Sequence, residues 1–400
     1  MGRNWWGCLH CFPGQHEPIR RYFVKHFGVI TYHHYENYGT VLQALALQQA
    51  ILAQGYPCEL IDYKEDSPLS RKELLKLRLR RFPVYLCQWK KYLALWNARA
   101  SFSRRSARFE TFYQTHLRVG SRAYRSAAEL MADPPVYDGY IVGSDQTWNP
   151  LASNRPAGFF LPFVADNGKK GSYAPSIGIS HCNREQIAFF RTYLQQFAFL
   201  SCREKVGAEL LSSALDRPVE TVLDPTLLLD PQMWAHFAAP VENLPTQYIL
   251  VYFLGDQAAH RKTVAHLQKQ LNFPVISIPV SYRELRDRTS RQEYVGPDQF
   301  LWLIQHASLV CTDSYHGTAF AINYQRDFYT FSKFQESDPQ SENSRVHHIL
   351  SLLHLENRLL PDGALPTASS IAYDAVNSIL TKEREHSTAY LRAMLDSLGE

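Results

Sequence analysis

The sequence contains few cysteines for its length, and those few follow no regular spacing. Its 400 residues include 7 cysteines, whereas a disulfide framework would need closely spaced pairs. Reduced thiols and a cytoplasmic location are therefore expected. Cys8 and Cys11 in CLHC have a metal-like spacing, but no second pair follows to complete a tetrahedral site. We predict no metal and no other cofactor.

Long hydrophobic runs and a secretory signal are also missing from the sequence. No apolar run approaches the roughly 20 residues that cross a bilayer, and the first residues lack the continuous apolar stretch of a signal peptide. Residues 1–27 show neither helical nor strand periodicity, so we interpret them as an N-terminal extension. A secreted or membrane-spanning protein is not expected.

Positive charge is low overall but concentrated in one segment. The formal net charge is +4, yet residues 71–108 carry 12 Lys and Arg against one acid, Glu73. Leu, Trp, Tyr and Phe are interleaved with these charges. This pattern is typical of an amphipathic helix pair, here interrupted by Pro83, and such a pair could lie on an anionic membrane surface. The alternative is a solvated helical excursion whose apolar stripe packs on the domain. Nucleic acid is not an expected partner, because no base-reading motif accompanies the charge.

The order of strands and helices predicts an α/β fold with two Rossmann-like domains. GVITY, a helix that stops at Gly55, and CELIDY form a βαβ unit. The alternation starts again at QYILVYFLG, after prolines cluster between Pro231 and Pro245, so a second domain follows. The predicted divisions are an N-terminal extension (1–27), a first domain (28–238) with a basic helical excursion (68–115), and a second domain (239–400) with closing C-terminal helices.

Polar loops follow the predicted strands, where parallel sheets bind their ligands. YHHYENYGTVLQ places Asn37 and Gly39 at a helix N-terminus, whose free N–H groups suit an anion, although Asn is also a common helix cap. VGSDQTWNP combines amides and a carboxylate with a flat aromatic face, a combination typical of sugar sites. The candidate acceptor-binding residues of this loop are Ser144, Gln146, Trp148 and Asn149.

Two later motifs, CREK and LDPT, supply charged side chains. Arg203 offers a planar fork suited to a carboxylate or phosphate, and Glu204 could orient that fork or bind a hydroxyl. Asp224 precedes a proline that stiffens the loop and holds the carboxylate still. We assign Arg203 to a donor site and both acids to an acceptor site, although each could instead form a structural ion pair.

Six motifs in a fixed order carry a resemblance to a known family. ENYGTVLQALAL, IVGSDQTWNP, SYAPSIG, CREKVG, VLDPTLLL and TDSYHGTAFAI together resemble the polysaccharide pyruvyl transferase family, from about residue 28 to about residue 360. The resemblance implies a GT-B-like fold with the active site in the cleft between two domains. It also implies transfer of a pyruvyl group from phosphoenolpyruvate to sugar hydroxyls of a glycan or glycan precursor, with ketal formation and phosphate release.

The histidine in TDSYHGTAF falls on the position that the family uses at its donor site. His316 is therefore the predicted general acid, since an imidazole can protonate the methylene carbon of phosphoenolpyruvate near neutral pH. Asp145 is the second predicted catalytic residue. Gly317 would let the backbone approach the donor, and Ser314 or Thr318 could bind its phosphate. The alternative is a buried histidine whose nitrogens bond to the backbone.

The sequence departs from the family at one position of this motif. Many members have Ser-Arg-Leu-His-Gly, whereas this chain has Ser314 in place of the arginine and Tyr315 in place of the leucine. Either another cation neutralises the donor, or the donor is different. The candidates are Arg203, Arg326 and Arg345, of which Arg345 is the first choice because it follows a Ser/Asn-rich loop that could fold over the cleft.

Two other functions fit parts of the sequence. A GT-B glycosyltransferase could use a nucleotide sugar, although no Gly-rich diphosphate loop of the expected form appears in the second domain. A non-catalytic glycan-binding protein could have lost the donor arginine. The expected partners are phosphoenolpyruvate, a sugar or lipid-linked glycan acceptor, and an anionic membrane as a peripheral contact.

Overall fold

The computed structural model describes residues 24–65, 89–151, 157–255, 258–280, 290–332, 344–361, 363–366 and 370–400, and only the backbone of residues 89–98. Its first half contains β1 (Phe27–Ile30), α1 (Tyr38–Ala53), β2 (Cys58–Tyr63), α2 (Trp89–His116), β3 (Val119–Tyr124), α3 (Ala127–Ala132), β4 (Gly139–Val142), β5 (Lys170–Ser172), α4 (Arg184–Leu194), β6 (Ser201–Cys202), α5 (Lys205–Leu215), β7 (Glu220–Thr221), α6 (Pro225–Leu228) and α7 (Pro231–Ala235). Its second half contains β8 (Ile249–Tyr252), α8 (Ala258–Leu271), β9 (Val275–Ser277), β10 (Arg291–Gln292), α9 (Pro297–His306), β11 (Leu309–Thr312), α10 (Tyr315–Asn323), β12 (Asp327–Phe331), α11 (Ser344–Leu352), β13 (Leu359–Leu360) and α12 (Tyr373–Ser397).

Two parallel sheets organise the chain. The first has the order β3-β2-β1-β4-β5 and the second the order β10-β9-β8-β11-β12-β13, and all pairings within them are parallel. The strand order reverses between β1 and β4 in one sheet and between β8 and β11 in the other. Parallel sheets bind ligands at such switch points, beyond the carboxyl ends of the strands. The predicted α/β fold with two Rossmann-like domains is confirmed.

Helix α1 joins the two halves. It is rich in Leu and Ala, is capped by Asn37, and is buried on nearly all sides because the second domain covers the face that the first leaves open. Tyr38 stacks on Phe300 of α9 at 4.4 Å between ring centroids, and its hydroxyl donates to the Val295 carbonyl. Most residues of α1 are therefore apolar, and the side-chain amides of its buried Gln43 and Gln48 donate to the carbonyl groups of Tyr32 and Arg118.

The described part of the basic segment packs on the rest of the protein. In α2, Phe109 and Phe112 enter the core. Arg105 and Arg108 donate to the carbonyl groups of Pro279 and Tyr294 in the second domain. For residues 99–116, these contacts favour a helical excursion whose apolar stripe packs on the domain over a helix that lies on a membrane. Residues 66–88, including Pro83, lie outside the described part.

The strand that follows α2 was not predicted. β3 pairs with β2 at the edge of the first sheet, and its residues are mostly exposed. An edge strand with one or two buried side chains lacks the apolar run from which the central strands are recognised.

The last helix, α12, returns to the first sheet. Leu398 and Met394 lie against the backbone of Gly139 and Gly171, and the Tyr390 hydroxyl donates to the Ser172 carbonyl. The C-terminal helix thus covers the first domain although it follows the second in sequence. The division at residues 238 and 239 stays a prediction. Within the described residues, no helix combines the length and the apolar character required to cross a membrane.

Candidate active site

The first turns of α1 and α10 meet at His316. Gly39 lies in the first turn of α1, and a Cβ atom added there would overlap the His316 ring. His316 lies in the first turn of α10, which Ser314 caps by accepting from the Gly317 amide. Two helix N-termini, one from each domain, therefore converge on one imidazole, and both carry partial positive charge. The site lies at the interdomain contact that the sequence analysis expected.

Asp224 is the acid nearest to that imidazole. Its Oδ2 lies 3.7 Å from His316 Nε2 and accepts from Arg203 Nη1 at 2.6 Å and Ser144 Oγ at 3.0 Å. Its Oδ1 accepts from the amide and hydroxyl of Thr226. Burial would raise the pKa of Asp224, but the neighbouring His316 imidazole, then the charge of Arg203 and the hydrogen bonds of Thr226, hold that pKa well below its usual range. Asp224 is therefore a fixed carboxylate beneath the histidine.

Arg203 and His316 retain nitrogens that no described residue binds. Arg203 is 2% exposed, and its guanidinium lies 4.4 Å from the centre of the Tyr315 ring. Arg203 Nε and Nη2 and His316 Nε2 make no hydrogen bond to any residue that the structure describes. Buried donors without partners are costly, so such a group commonly marks a place for a ligand or ordered water.

Asp145 lies on the other side of the first turn of α1. Its Oδ2 accepts from Thr40 Oγ1 at 2.9 Å, and its carbonyl accepts from the Ser176 amide. Asp145 has φ = 71°, in the left-handed region that a non-glycine residue seldom adopts. Such backbone strain is concentrated at functional sites. The two predicted catalytic residues therefore both border the start of α1.

The Glu204 carboxylate is surrounded by backbone amides and is not exposed to solvent. It is fully buried, and its Oε1 accepts from Ser176 Oγ and from the amides of Ile177 and Gly178. Its other oxygen has no hydrogen-bond partner among the described residues. His348 of α11 lies near this carboxylate, and burial lowers the pKa of His348. Glu204 shapes the loop beside Arg203 and was wrongly placed on an acceptor surface.

The SDQTWN loop is more structural than expected. Trp148 is 1% exposed, donates to the Phe159 carbonyl and packs on Phe160, so it is a core residue and the prediction of a sugar-stacking face was wrong. Asn149 donates to Gln146 Oε1 and accepts from the Leu151 amide. Ser144 is fully buried against Asp224. Gln146 alone of the four candidates is only half-buried.

Two of the predicted donor residues in α10 support the helix instead. Thr318 is fully buried and its hydroxyl bonds to the Ser314 carbonyl and to Thr330 Oγ1. Gly317 faces Thr312, which a Cβ would strike, so the glycine is required for close packing of α10 on β11. The predictions that these two residues approach the donor are corrected on these grounds. Asn37 caps α1 through the Thr40 amide.

Sequence analysis missed three contributors to the site. Thr40 holds Asp145, Thr226 holds Asp224, and Tyr315 lies beneath the Arg203 guanidinium. Each directly follows or lies within a motif that was quoted, so a signal was present. The contacts themselves join residues far apart in sequence and could not be inferred from spacing.

The family comparison decides the identity of the chain at family level. The family model described as "Polysaccharide pyruvyl transferase" matches residues 37–332, which include every site residue described above except His348. The chain belongs to the polysaccharide pyruvyl transferase family. A comparison with curated proteins found no match.

Solved structures similar to this polysaccharide pyruvyl transferase family member are distant. The UDP-GlcNAc 2-epimerase of Methanocaldococcus jannaschii is 12% identical, with 89% of this chain and 99% of that chain covered and a TM-score of 0.43. The E. coli heptosyltransferase WaaC with ADP is 13% identical over 91% and 99% of the two chains, with a TM-score of 0.37. MurG of Acinetobacter baumannii is 9% identical over 94% of each chain, with a TM-score of 0.39.

The three arginines considered as substitutes in this family member lie at different places. Arg203 is bonded to Asp224 and lies over Tyr315, the residue beside His316. Arg326 follows the far end of α10 and donates to the Tyr324 carbonyl. Arg345 is half-buried in α11, close enough to Tyr315 for its positive charge to act on that phenol. The geometry favours Arg203 over the first choice from sequence, Arg345.

Proposed function

We propose that this protein transfers a pyruvyl group from phosphoenolpyruvate to two hydroxyls of a sugar in a glycan or lipid-linked glycan precursor. The observation that carries the proposal is the unpartnered Nε2 of His316, which lies 3.7 Å from a fixed carboxylate where the first turns of α1 and α10 meet. An imidazole in this setting has a counter-charge on one side and partial positive charge from two helices around it. These features suit a proton donor to an anionic substrate.

The reaction begins with proton transfer from His316. The proton goes to the methylene carbon of phosphoenolpyruvate, and the C2 carbon becomes electrophilic. A sugar hydroxyl oxygen then bonds to C2 and loses its proton. Attack by a second hydroxyl of the same sugar displaces phosphate, which leaves with the bridging oxygen and takes up the second proton. The products are a cyclic ketal and inorganic phosphate, and no oxidant or further reactant is needed.

Arg203 is the proposed binding group for the donor. Two of its nitrogens have no partner within the described ranges, and the charge of Arg203 is only partly offset because Asp224 also faces His316. A charged hydrogen bond from guanidinium to carboxylate or phosphate contributes about 1.5–3 kcal/mol. Arg203 therefore takes the role of the arginine that many family members have at the position of Ser314, although it lies in a different part of the fold. Arg345 stays a second candidate.

Asp145 is the proposed base that receives the acceptor proton. It is half-buried at the end of β4 and oriented by Thr40, and it neighbours the half-buried Gln146. A carboxylate held at the ligand edge of the first sheet is suited to bind a hydroxyl and accept its proton. The acceptor then approaches from the first domain, and the donor lies between Arg203 of the first domain and His316 of the second.

The decisive experiment is incubation of the purified protein with phosphoenolpyruvate and a panel of sugar acceptors. We expect phosphate release that requires both substrates and a product heavier than the acceptor by one pyruvyl ketal. Calorimetric titration with phosphoenolpyruvate and with nucleotide sugars runs in parallel. Binding of a nucleotide sugar without binding of phosphoenolpyruvate would favour the glycosyltransferase, and glycan binding without turnover would favour the non-catalytic protein.

The location proposed for this activity is the cytoplasm, with the acceptor presented at the inner membrane face. Support comes from the basic segment 71–108, whose charges are suited to anionic lipid. The test is sedimentation with phosphatidylglycerol vesicles at low salt, with neutral phosphatidylcholine vesicles as the control. Equal sedimentation with both would remove the membrane from the proposal.

A further inference from the structure

A second polar cluster lies at the carboxyl ends of β1 and β2, apart from His316. His33 and His34 follow β1 in a bend, and Asp62 lies near the end of β2. β1 and β2 are neighbours in parallel register, so their ends are brought side by side. One nitrogen of each histidine and one oxygen of Asp62 all lie within 4.8 Å of one another. Three groups able to bind a metal therefore converge on one point.

The hydrogen bond of His33 fixes the nitrogen that faces this point. His33 Nδ1 lies 2.9 Å from the Thr31 carbonyl oxygen, which can only accept, so Nδ1 carries the proton. His33 Nε2 then holds a lone pair. The ring is 1% exposed, and Nε2 has no hydrogen-bond partner within the described part of the chain. Histidines that bind metals commonly donate their other N–H to a carbonyl in this way.

His34 and Asp62 complete the arrangement. His34 Nε2 lies 2.9 Å from Asp62 Oδ1, but the two are not aligned as a hydrogen bond. The His33 and His34 rings are 3.9 Å apart between centroids. Both rings therefore lie beside the Asp62 carboxylate, and His33 Nε2 and His34 Nε2 make no hydrogen bond to any described residue.

The cluster opens onto a cleft of 560 Å³. Its walls include Glu110 and Tyr113 of α2 and Arg125 at the end of β3. Arg125 Nη1 lies 3.4 Å from Asp62 Oδ1 and is the main competitor for that carboxylate. The Arg125 side chain is 42% exposed, so it can turn into solvent when another cation binds Asp62.

We propose that His33, His34 and Asp62 bind a divalent metal ion of the Zn²⁺ type, with a coordination position open to this cleft. Two imidazole nitrogens and one carboxylate favour Zn²⁺ and Co²⁺ over Mg²⁺ and Ca²⁺, which prefer ligand sets made of oxygen. Three protein ligands with an open position are typical of zinc sites that bind an additional molecule. The proposal does not depend on the pyruvyl transfer reaction.

The test is Co²⁺ and Zn²⁺ binding to the full-length, tag-free chain after treatment with a chelator. A Cys8→Ser/Cys11→Ser background removes the thiols of the CLHC segment, which could bind the same ions. We expect one Co²⁺ per chain, with visible absorption bands typical of nitrogen and oxygen ligands, and displacement by Zn²⁺ in calorimetry. Co²⁺ affinity should fall at least about 10-fold in Asp62→Asn, a change of nearly equal volume, and further in His33→Ala.

The matched control is His306→Ala, which removes an exposed histidine at the C-terminal end of α9 in the second domain. It should leave Co²⁺ affinity and the spectrum unchanged, and circular dichroism should show that each variant is folded. The proposal is overturned if the Cys8→Ser/Cys11→Ser protein binds no Co²⁺ at millimolar concentration. It is also overturned if folded Asp62→Asn binds Co²⁺ as tightly as its parent.

Discussion

The two histidine sites of this protein show how surroundings assign different chemistry to one residue type. His316 lies beside the fixed carboxylate of Asp224, with the cation Arg203 bonded to the same carboxylate. His33 and His34 lie against each other at the end of β1, and burial lowers the pKa of both rings. The surroundings of the first site suit proton transfer and anion binding. The second site offers imidazole lone pairs that could bind a metal ion.

The two histidine sites differ because different helices and strands place different side chains beside each imidazole. At His316, α1 and α10 contribute N-termini from two domains, and the loop before α6 contributes Asp224. At His33 the neighbour is a second imidazole, so protonation of one ring disfavours protonation of the other. Position in the fold, rather than the residue type, separates the proposed proton donor from the proposed metal ligands.

Removal of the His316 imidazole should have the largest effect on activity. We expect His316→Ala to lower kcat for phosphate release by at least about 10³-fold, because the proposed general acid catalysis contributes about 10²–10⁴. His306→Ala is the control. Activity of His316→Ala within tenfold of the parent protein would contradict the acid role, and a folded variant by circular dichroism is required for either conclusion.

Removal of the Asp224 charge should destabilise the fold as well as the site. Asp224→Asn leaves the buried Arg203 without its counter-charge, and we expect a loss of about 3 kcal/mol in unfolding free energy at pH 7. Because the pKa of Asp224 is lower in the folded than in the unfolded chain, its stabilising effect is present above about pH 4 and is lost as the pH falls below it.

Urea denaturation between pH 3 and 7 measures both consequences. The variant should lose less stability than the parent as the pH falls below 4. The exposed Asp216, changed to Asn, is the matched control and should follow the parent. An Asp224→Asn curve parallel to that of the parent would refute the lowered pKa.

Crowding of the His316 ring tests the contact between the two helix N-termini. A Cβ at Gly39 would overlap the ring, so Gly39→Ala must displace either the imidazole or α1. A displacement of about 1 Å costs about 10²-fold in rate, and we expect that loss in kcat. Gly168→Ala, at an exposed loop, should be neutral. Normal kcat in Gly39→Ala would show that the ring position does not limit turnover.

A change in the shape of the cation at position 203 should have the smallest effect. Arg203→Lys keeps the charge beside Asp224 but loses the planar fork, and we expect about 10-fold weaker phosphoenolpyruvate binding in calorimetry, equivalent to one charged hydrogen bond. Arg184→Lys, at an exposed position of α4, is the control. Unchanged affinity in Arg203→Lys would direct the search for the donor cation to Arg345.

Much of the fold was predictable, and the errors have physical causes. β2 was predicted with its observed bounds, and β1, the end of α1 and β8 were predicted closely, since each has a clear apolar pattern. Trp148 was misassigned because a tryptophan after a polar loop has the same local sequence whether it faces a ligand or the core. The aromatic neighbours that bury it come from residues later in the chain.

The proposed metal ligands illustrate the same limit in the other direction. We predicted no metal because Cys8 and Cys11 lack a second pair with zinc-ligand spacing and no other ligand cluster is visible in the sequence. His33 and His34 follow β1 and Asp62 lies in β2, two strands separated by a helix, and their parallel pairing brings the three residues together. Residue spacing can reveal a metal site whose ligands lie in one segment, but it does not reveal a site whose ligands come from neighbouring strands.

By itself the sequence determined the alternation of strands and helices, the six motifs and thus the family, because these depend on local periodicity and residue order. The tertiary structure alone decided that His316 meets Gly39, that Arg203 rather than Arg345 is bonded to Asp224, and that His33 and Asp62 are neighbours. Such contacts depend on the packing of two domains around α1, and residues far apart in sequence acquire a distance only when the chain is folded.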